Sequence, residues 1–218
     1  MNVFILGITG GTGNRIARIL IHQEHSISGL YRRPNQITEL GEMGAKAFAG
    51  DIATISEWEL ARAMSETDVV VFTAGAGDQD DESMIDAVDY GGVKKTIAAM
   101  RLAGQSRLLL ISVFPEAARE QCLGDSFEHY IAAKKKADVE VVKSGLDWII
   151  LRPSSLKDAP GTGRVSLGLA NFHTQITRDD LASTAVALLN VPEITKTILE
   201  VTEGDQPIAS AVSALLSI

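Results

Sequence analysis

Short apolar runs rich in β-branched residues alternate with longer stretches whose apolar positions recur every three or four residues, from one end of the chain to the other. Asn2–Leu6 (NVFIL) is a continuous apolar run, the pattern of a strand buried on both faces. The spacing of Ile16, Ile19 and Leu20 predicts a helix over 14–21. Ser26–Tyr31 reads as a second strand and 45–49 as a weaker third, ending at Gly50-Asp51. A helix follows over 56–64, with Trp58, Leu60, Ala61 and Met64 expected inward. The run 68–73 (DVVVFT) is the clearest buried strand, and 84–103 a long helix. After a strand at 107–112 comes a helix over 127–144, closed by Gly145, which suits a left-handed C-terminal cap. A strand at 148–151 stops at Pro153; 179–189 is helical, 197–202 a last strand and 208–216 a terminal helix. Only 154–175 shows no such pattern, and a loop of that length in a compact domain is usually functional.

Strands alternating with crossover helices imply right-handed βαβ units. The expected fold class is α/β: a doubly wound, mostly parallel sheet with helices on both faces. No Pro- or Ser-rich linker interrupts the alternation, so one domain over 1–218 is expected, with a small substrate-side region formed by 154–176 and 203–218.

Composition narrows the class. The 218 residues are 45% hydrophobic, enough for a core, and carry a net charge of -8, which argues against nucleic acid or an anionic membrane as the main partner. A single cysteine excludes a disulfide framework and any Cys-rich metal site, and the four histidines have no metal-ligand spacing. No apolar run is long enough to span a bilayer, and Met1 to Leu6 lacks the basic flank of a signal peptide, so a cytoplasmic protein is expected.

Gly7-Ile8-Thr9-Gly10-Gly11-Thr12-Gly13 joins the first strand to the first helix. Glycine there lets the chain reverse, lets backbone N–H groups reach a diphosphate, and lets helix and strand pack closely. The helix N-terminus adds unpaired donors and a positive dipole end. No Lys-Ser/Thr pair follows, so the loop reads as dinucleotide-binding rather than as a triphosphate loop. An NAD-selective site places an acid at the end of the second strand; Tyr31-Arg32-Arg33-Pro34 stands there instead. Two guanidiniums suit a 2′-phosphate, so NADP(H) is preferred over NAD(H), with Arg32 favoured and Arg33 beside it. Asp51 either accepts from an adenine amino group or is simply a helix N-terminal acid. Thr73-Ala74-Gly75 ends the central strand with small residues that permit close approach of a ligand.

Tyr130 and Lys134 lie four apart on a predicted helix, and so on one face. A neighbouring ammonium favours the phenolate and brings proton transfer into range. Ser112 ends the preceding strand at the same sheet edge. Together they form a candidate hydride-transfer site: Tyr130 moves the carbonyl proton, Ser112 polarises the oxygen, and Lys134 holds the nicotinamide ribose and tunes the phenol. Arg152 faces either a ligand or an internal carboxylate, and His129, Phe172 and His173 are minor candidates for the cleft.

With these motifs, Gly50-Asp51, Ser144-Gly145-Leu146-Asp147-Trp148, Leu151-Arg152-Pro153 and Thr177-Arg178-Asp179-Asp180-Leu181-Ala182, the whole chain resembles the atypical branch of the short-chain dehydrogenase/reductase superfamily, whose members carry NAD(P)H-binding or epimerase/dehydratase labels. The resemblance implies a Rossmann-like NAD(P)-binding fold. It places Asp89 in the slot of a catalytic asparagine, and adds Ile52 and Pro153 to the cofactor-binding set. Three readings follow: an NADP-dependent oxidoreductase on a small carbonyl or alcohol, a nucleotide-sugar epimerase or dehydratase, or a non-catalytic NADPH sensor. Short substrate-side segments weigh against the second. The expected partners are NADP and a small molecule, with a homodimer as a candidate assembly.

Overall fold

The computed structural model describes residues 1–77, 81–116 and 122–217. Strands β1 (Asn2–Leu6), β2 (Ser26–Tyr31), β3 (Lys46–Ala49), β4 (Val69–Phe72), β5 (Arg107–Ile111) and β6 (Asp147–Pro153) alternate with helices α1 (Gly11–His22), α2 (Gln36–Met43), α3 (Glu57–Ala63), α4 (Glu82–Ile85), α5 (Gly91–Ala103) and α6 (Asp125–Lys143). Then come β7 (Ser155–Lys157), β8 (Arg164–Gly168), β9 (Gln175–Thr177), α7 (Arg178–Leu189), β10 (Thr197–Glu203), β11 (Gln206–Pro207) and α8 (Ile208–Ala214). Among the described residues the main sheet has nine strands, ordered β11-β8-β10-β6-β5-β4-β1-β2-β3. It is parallel from β3 to β10, and β8 pairs antiparallel with β10 and β11. The doubly wound, mostly parallel α/β fold is thus present.

Alternation along each strand sends odd and even residues to opposite faces. Val3, Ile5, Val71, Leu109 and Ile149 pack with Ile16 and Leu20 of α1 and Leu181 and Ala185 of α7. Phe4, Leu6, Val70, Phe72 and Leu108 pack on the other face with Leu60 of α3, Met100 of α5 and Val141 of α6. Both faces are covered, which is why these strands read as unbroken apolar runs. The chain leaves β1 toward β2 and β3, then returns to β4 on the other side. A crevice opens at the C-terminal ends of β1 and β4, where the strand order reverses.

The structure differs from the sequence reading in four places. Helix α2 is only eight residues long and buries only Gln36 and Leu40, so it escapes the periodicity. Trp58 is 70% exposed while its neighbours Leu60 and Met64 are fully buried, because α3 rests on the sheet through one narrow stripe. The helix expected over 84–103 is interrupted by a π-helical turn, Asp86–Tyr90, between α4 and α5. The segment 154–175 holds β7, which pairs with β9, and β8, which extends the main sheet; its strands are too short or too polar to show a pattern. Gly145 takes the expected left-handed conformation, φ 77°. Gln79 and Asp80 of the acidic stretch before α4, and Ile218, lie outside the described residues.

Candidate functional site

Gly7 ends β1 at φ 88°, and a Cβ placed on it would stand 2.7 Å from the Ala74 backbone nitrogen. On Gly13 a Cβ would fall 2.2 Å from the Gly7 carbonyl oxygen. These two glycines therefore make the turn and the close strand–helix packing. Helix α1 has Gly10 at its N-cap, with no side-chain cap and no acidic residue in its first turn. Its first N–H groups and dipole thus stay available to an anion.

Two hollows meet over this turn, sharing Thr73, Ala74 and Gly75 at the end of β4. The smaller, about 170 Å³, is walled by Gly7, Thr9, Gly10, Arg32, Asp51 and Ile52, among others. Arg32 Nη1 stands 3.8 Å from Asp51 Oδ2, and the Arg32 side chain is more than half exposed. Gln36 Oε1 accepts from the backbone nitrogens of Arg32 and Arg33 at 3.1 and 2.9 Å, fixing the turn that aims Arg32. Arg33 does not line the hollow, nor do Gly11 and Gly13. Asp51 is not a helix N-terminal acid. Its Oδ1 accepts from Ala53 N at 2.9 Å, whereas α3 is capped by Ser56 with Glu59 in a capping box.

The larger hollow, about 520 Å³, is lined by Thr12, Asp89, Ser112, Tyr130, Lys134 and Pro153, with Leu123, Phe127 and Leu156 as an apolar wall. Each polar member arrives on a different support. Ser112 follows the end of β5. The π-helical turn, with its one extra residue, brings Asp89 fully inside the protein. Helix α6 starts after Gly124, carries Asp125 and Glu128 in its first turn, and presents Tyr130 and Lys134 along one face. Lys134 is 4% exposed; its Nζ donates to the Ile111 carbonyl at 3.1 Å and lies 3.5 Å from Asp89 Oδ1. Asp89 Oδ2 accepts from Ala76 N at 2.9 Å, tying the turn after β4 to the same group. Burial works against the Lys134 ammonium, but the charges of Tyr130, Asp89 and Asp138 outweigh it and hold its pKa above the ordinary 10.5. A positive charge is thereby kept beside the phenol. Leu156 brings the segment 154–176 to this wall, whereas β11 and α8 contribute no lining residue.

Asp138, four residues beyond Lys134, was not among the expected site residues. Ser112 Oγ donates to its Oδ1 at 2.6 Å, and Arg152 donates to its Oδ2 through Nε and Nη2 at 3.0 and 2.8 Å. Burial pushes this carboxyl above its ordinary range, while Ser112, Arg152 and Lys134 pull it back. The spacing Tyr130, Lys134, Asp138 on one helical face was the available signal. Arg152 faces an internal carboxylate. His129 is held by Asp86 at 3.1 Å, away from the hollow. Phe172 is 91% exposed and His173 packs edge-on against Phe114; neither lines the hollow. Among the described residues no cluster of His, Cys, Asp or Glu could hold a metal, and no helix is long and apolar enough to cross a membrane.

A parallel doubly wound sheet with an uncapped helix end, a glycine turn and two confluent hollows at its switch point defines a Rossmann-type dinucleotide-binding protein. The chain belongs to the NAD(P)H-binding family, whose model matches residues 7–192. A Bacillus subtilis protein named an uncharacterized sugar epimerase is 34% identical over 216 residues, covering 99% of this chain and 100% of its own. A Bacillus halodurans structure named for an NAD-dependent epimerase/dehydratase superposes with a TM-score of 0.88 at 28% identity, covering 98% of this chain and 99% of that one. The fold is also that of a Veillonella parvula short-chain dehydrogenase/reductase in complex with NADP, with a TM-score of 0.74 at 16% identity over 94% of this chain and 96% of that one. A nicotinamide dinucleotide fits the residues present: bare glycine backbone under an uncapped helix end, with small residues, not bulky ones, at Thr73–Gly75.

Proposed function

We propose that the protein is an NADP(H)-dependent oxidoreductase of the short-chain dehydrogenase/reductase type, acting on a small carbonyl or alcohol in the cytoplasm. The observation that carries this reading is the convergence of Ser112, Tyr130 and Lys134 on one hollow that adjoins the glycine turn. When bound, the dinucleotide supplies or accepts the hydride. Backbone donors of Gly7 to Gly13, with Thr9 and Thr12, would hold its diphosphate, and Arg32 its 2′-phosphate. Arg33 would add long-range charge only. Asp51 and Ile52 would border the adenosine, Thr73–Gly75 the middle, and Pro153 the nicotinamide.

Tyr130 gives the substrate oxygen its proton in reduction and takes it in oxidation. Lys134 stays protonated beside it, steadied by Ile111 and Asp89, and would hold the nicotinamide ribose. Asp89 positions Lys134, and Ser112 meets the substrate from the β5 side. The unit spans 1–218, with its substrate side on 154–176.

The epimerase reading draws on the name of the Bacillus subtilis relative. It would use the same cofactor residues, but little chain is left over for a sugar-nucleotide lobe. The test is NADPH and NADH titration followed by a carbonyl panel with wild type and Tyr130→Phe. The variant should bind NADPH unchanged and lose about 10²- to 10⁴-fold in kcat. Turnover of a UDP-sugar without net redox change would favour the epimerase. Tight NADPH binding with no turnover, and no effect of the variant, would favour a sensor.

A further inference from the structure

The bond between Ser112 and Asp138 has only one sense while the carboxylate is ionised: the hydroxyl must donate, since a carboxylate offers lone pairs alone. Arg152 keeps that carboxylate paired through its fork on Oδ2. Ser112 and Asp138 are each 5% exposed, so no bulk water replaces the serine if it turns away. Lys134, the other cation facing Asp138, already spans the Ile111 carbonyl and Asp89. Rotating the hydroxyl into the hollow would therefore leave a buried acceptor short of a donor, which is unfavourable. Yet Ser112 lines the hollow. What it shows there is oxygen lone pairs, not a proton.

We infer that Asp138 is a positioning residue that fixes Ser112 as a hydrogen-bond acceptor, and that the substrate is a carbonyl compound with a donor, a hydroxyl or an N–H, next to its reacting carbon. This rests on the oxidoreductase reading above and deepens it. Tyr130 serves the reacting oxygen, and Ser112 takes the neighbouring donor. A plain ketone would satisfy Tyr130 and leave the Ser112 lone pairs facing it unpaired.

The test compares two probes, 2-hydroxyacetophenone and 2-methoxyacetophenone, binding to protein saturated with NADP+, which has no hydride to give a ketone. They share a phenyl ring suited to the wall of Leu123, Phe127 and Leu156, and differ in the donor. Wild type should favour the hydroxy ketone by about fivefold to tenfold, the size of one net hydrogen bond. Ser112→Ala should abolish that preference. Asp138→Asn should abolish it too, because the amide can donate to Ser112 while its oxygen keeps Arg152, which frees the serine proton. In the Ser112→Ala background, Asp138→Asn should change the ratio no further.

A folded Asp138→Asn with the wild-type ratio overturns the inference. If that variant does not fold, a wild-type ratio in Ser112→Ala does the same. Dinucleotide titration separates the two levels. No NADP+ binding by wild type sinks the oxidoreductase reading, whereas intact binding and Tyr130-dependent turnover with an unmoved ratio sink only the role of Asp138.

Discussion

Arg32 already has a carboxylate 3.8 Å away in Asp51, so a 2′-phosphate must draw its guanidinium from an existing partner. The pair is solvent-exposed and weak, while phosphate offers two oxygens to a planar fork. Arg32→Ala should weaken NADPH about tenfold to a hundredfold and NADH less than about threefold, by calorimetric titration. Equal losses for both nucleotides would refute NADP selectivity at this position. At this scale much was legible. The glycine turn and the Tyr130–Lys134 spacing depend on local chemistry, which is written in adjacent letters, whereas the fold decided that Arg32 and not Arg33 walls the hollow. The spacing of Asp138 on the Tyr130–Lys134 face was legible but its role was not, because its partners Ser112 and Arg152 are 26 and 14 positions away and meet it only through the sheet.

Helix α7 shows how one element organises its surroundings. Thr177 caps it by accepting from Asp180 N at 2.9 Å. Asp180 in turn accepts from Thr162 N at 2.9 Å and Gly163 N at 2.8 Å, stapling the segment before β8 to the helix. Burial would raise the Asp180 pKa, but these donors with Thr177 prevail and hold it below the ordinary 3.8. Between the lowered folded value and the ordinary one the unfolded chain binds more protons. The contribution is therefore complete above about pH 4 and lost as pH falls through the folded value. Asp180→Ala should cost about 3 kcal/mol at neutral pH and flatten the acid limb of a urea-denaturation profile. An unchanged acid limb would remove Asp180 from that account. The motif at 177–182 was visible as sequence, but its partner strand was not, since β8 has too little patterning to announce itself.

Across the molecule, a net charge of -8 opposes any polyanionic ligand, so affinity for a dinucleotide would have to come from local donors, in our proposal the glycine turn and Arg32. Binding to the folded state alone stabilises by about 2.7 kcal/mol at a ligand concentration of about 100 Kd. NADPH at that level should raise the unfolding temperature by about 5–10 °C in differential scanning calorimetry. A larger shift with NADPH than with NADH should shrink as salt is raised, because screening weakens the one added charge. No shift with either nucleotide would contradict the dinucleotide site.

The alternation of β1 to β6 with α1, α3, α5 and α6 was determined by the chain alone, because apolar period and glycine placement are local quantities that bias each segment before any long-range contact exists. The two-face core follows too, since runs such as 68–73 have no face they could offer to water. Tertiary structure decided the rest: the π-helical turn that seats Asp89, the edge strands between 154 and 177, and the aiming of Ser112 by Asp138. Those features consist of contacts between distant segments, and the free energy of such a contact belongs to the assembled sheet rather than to any stretch that enters it.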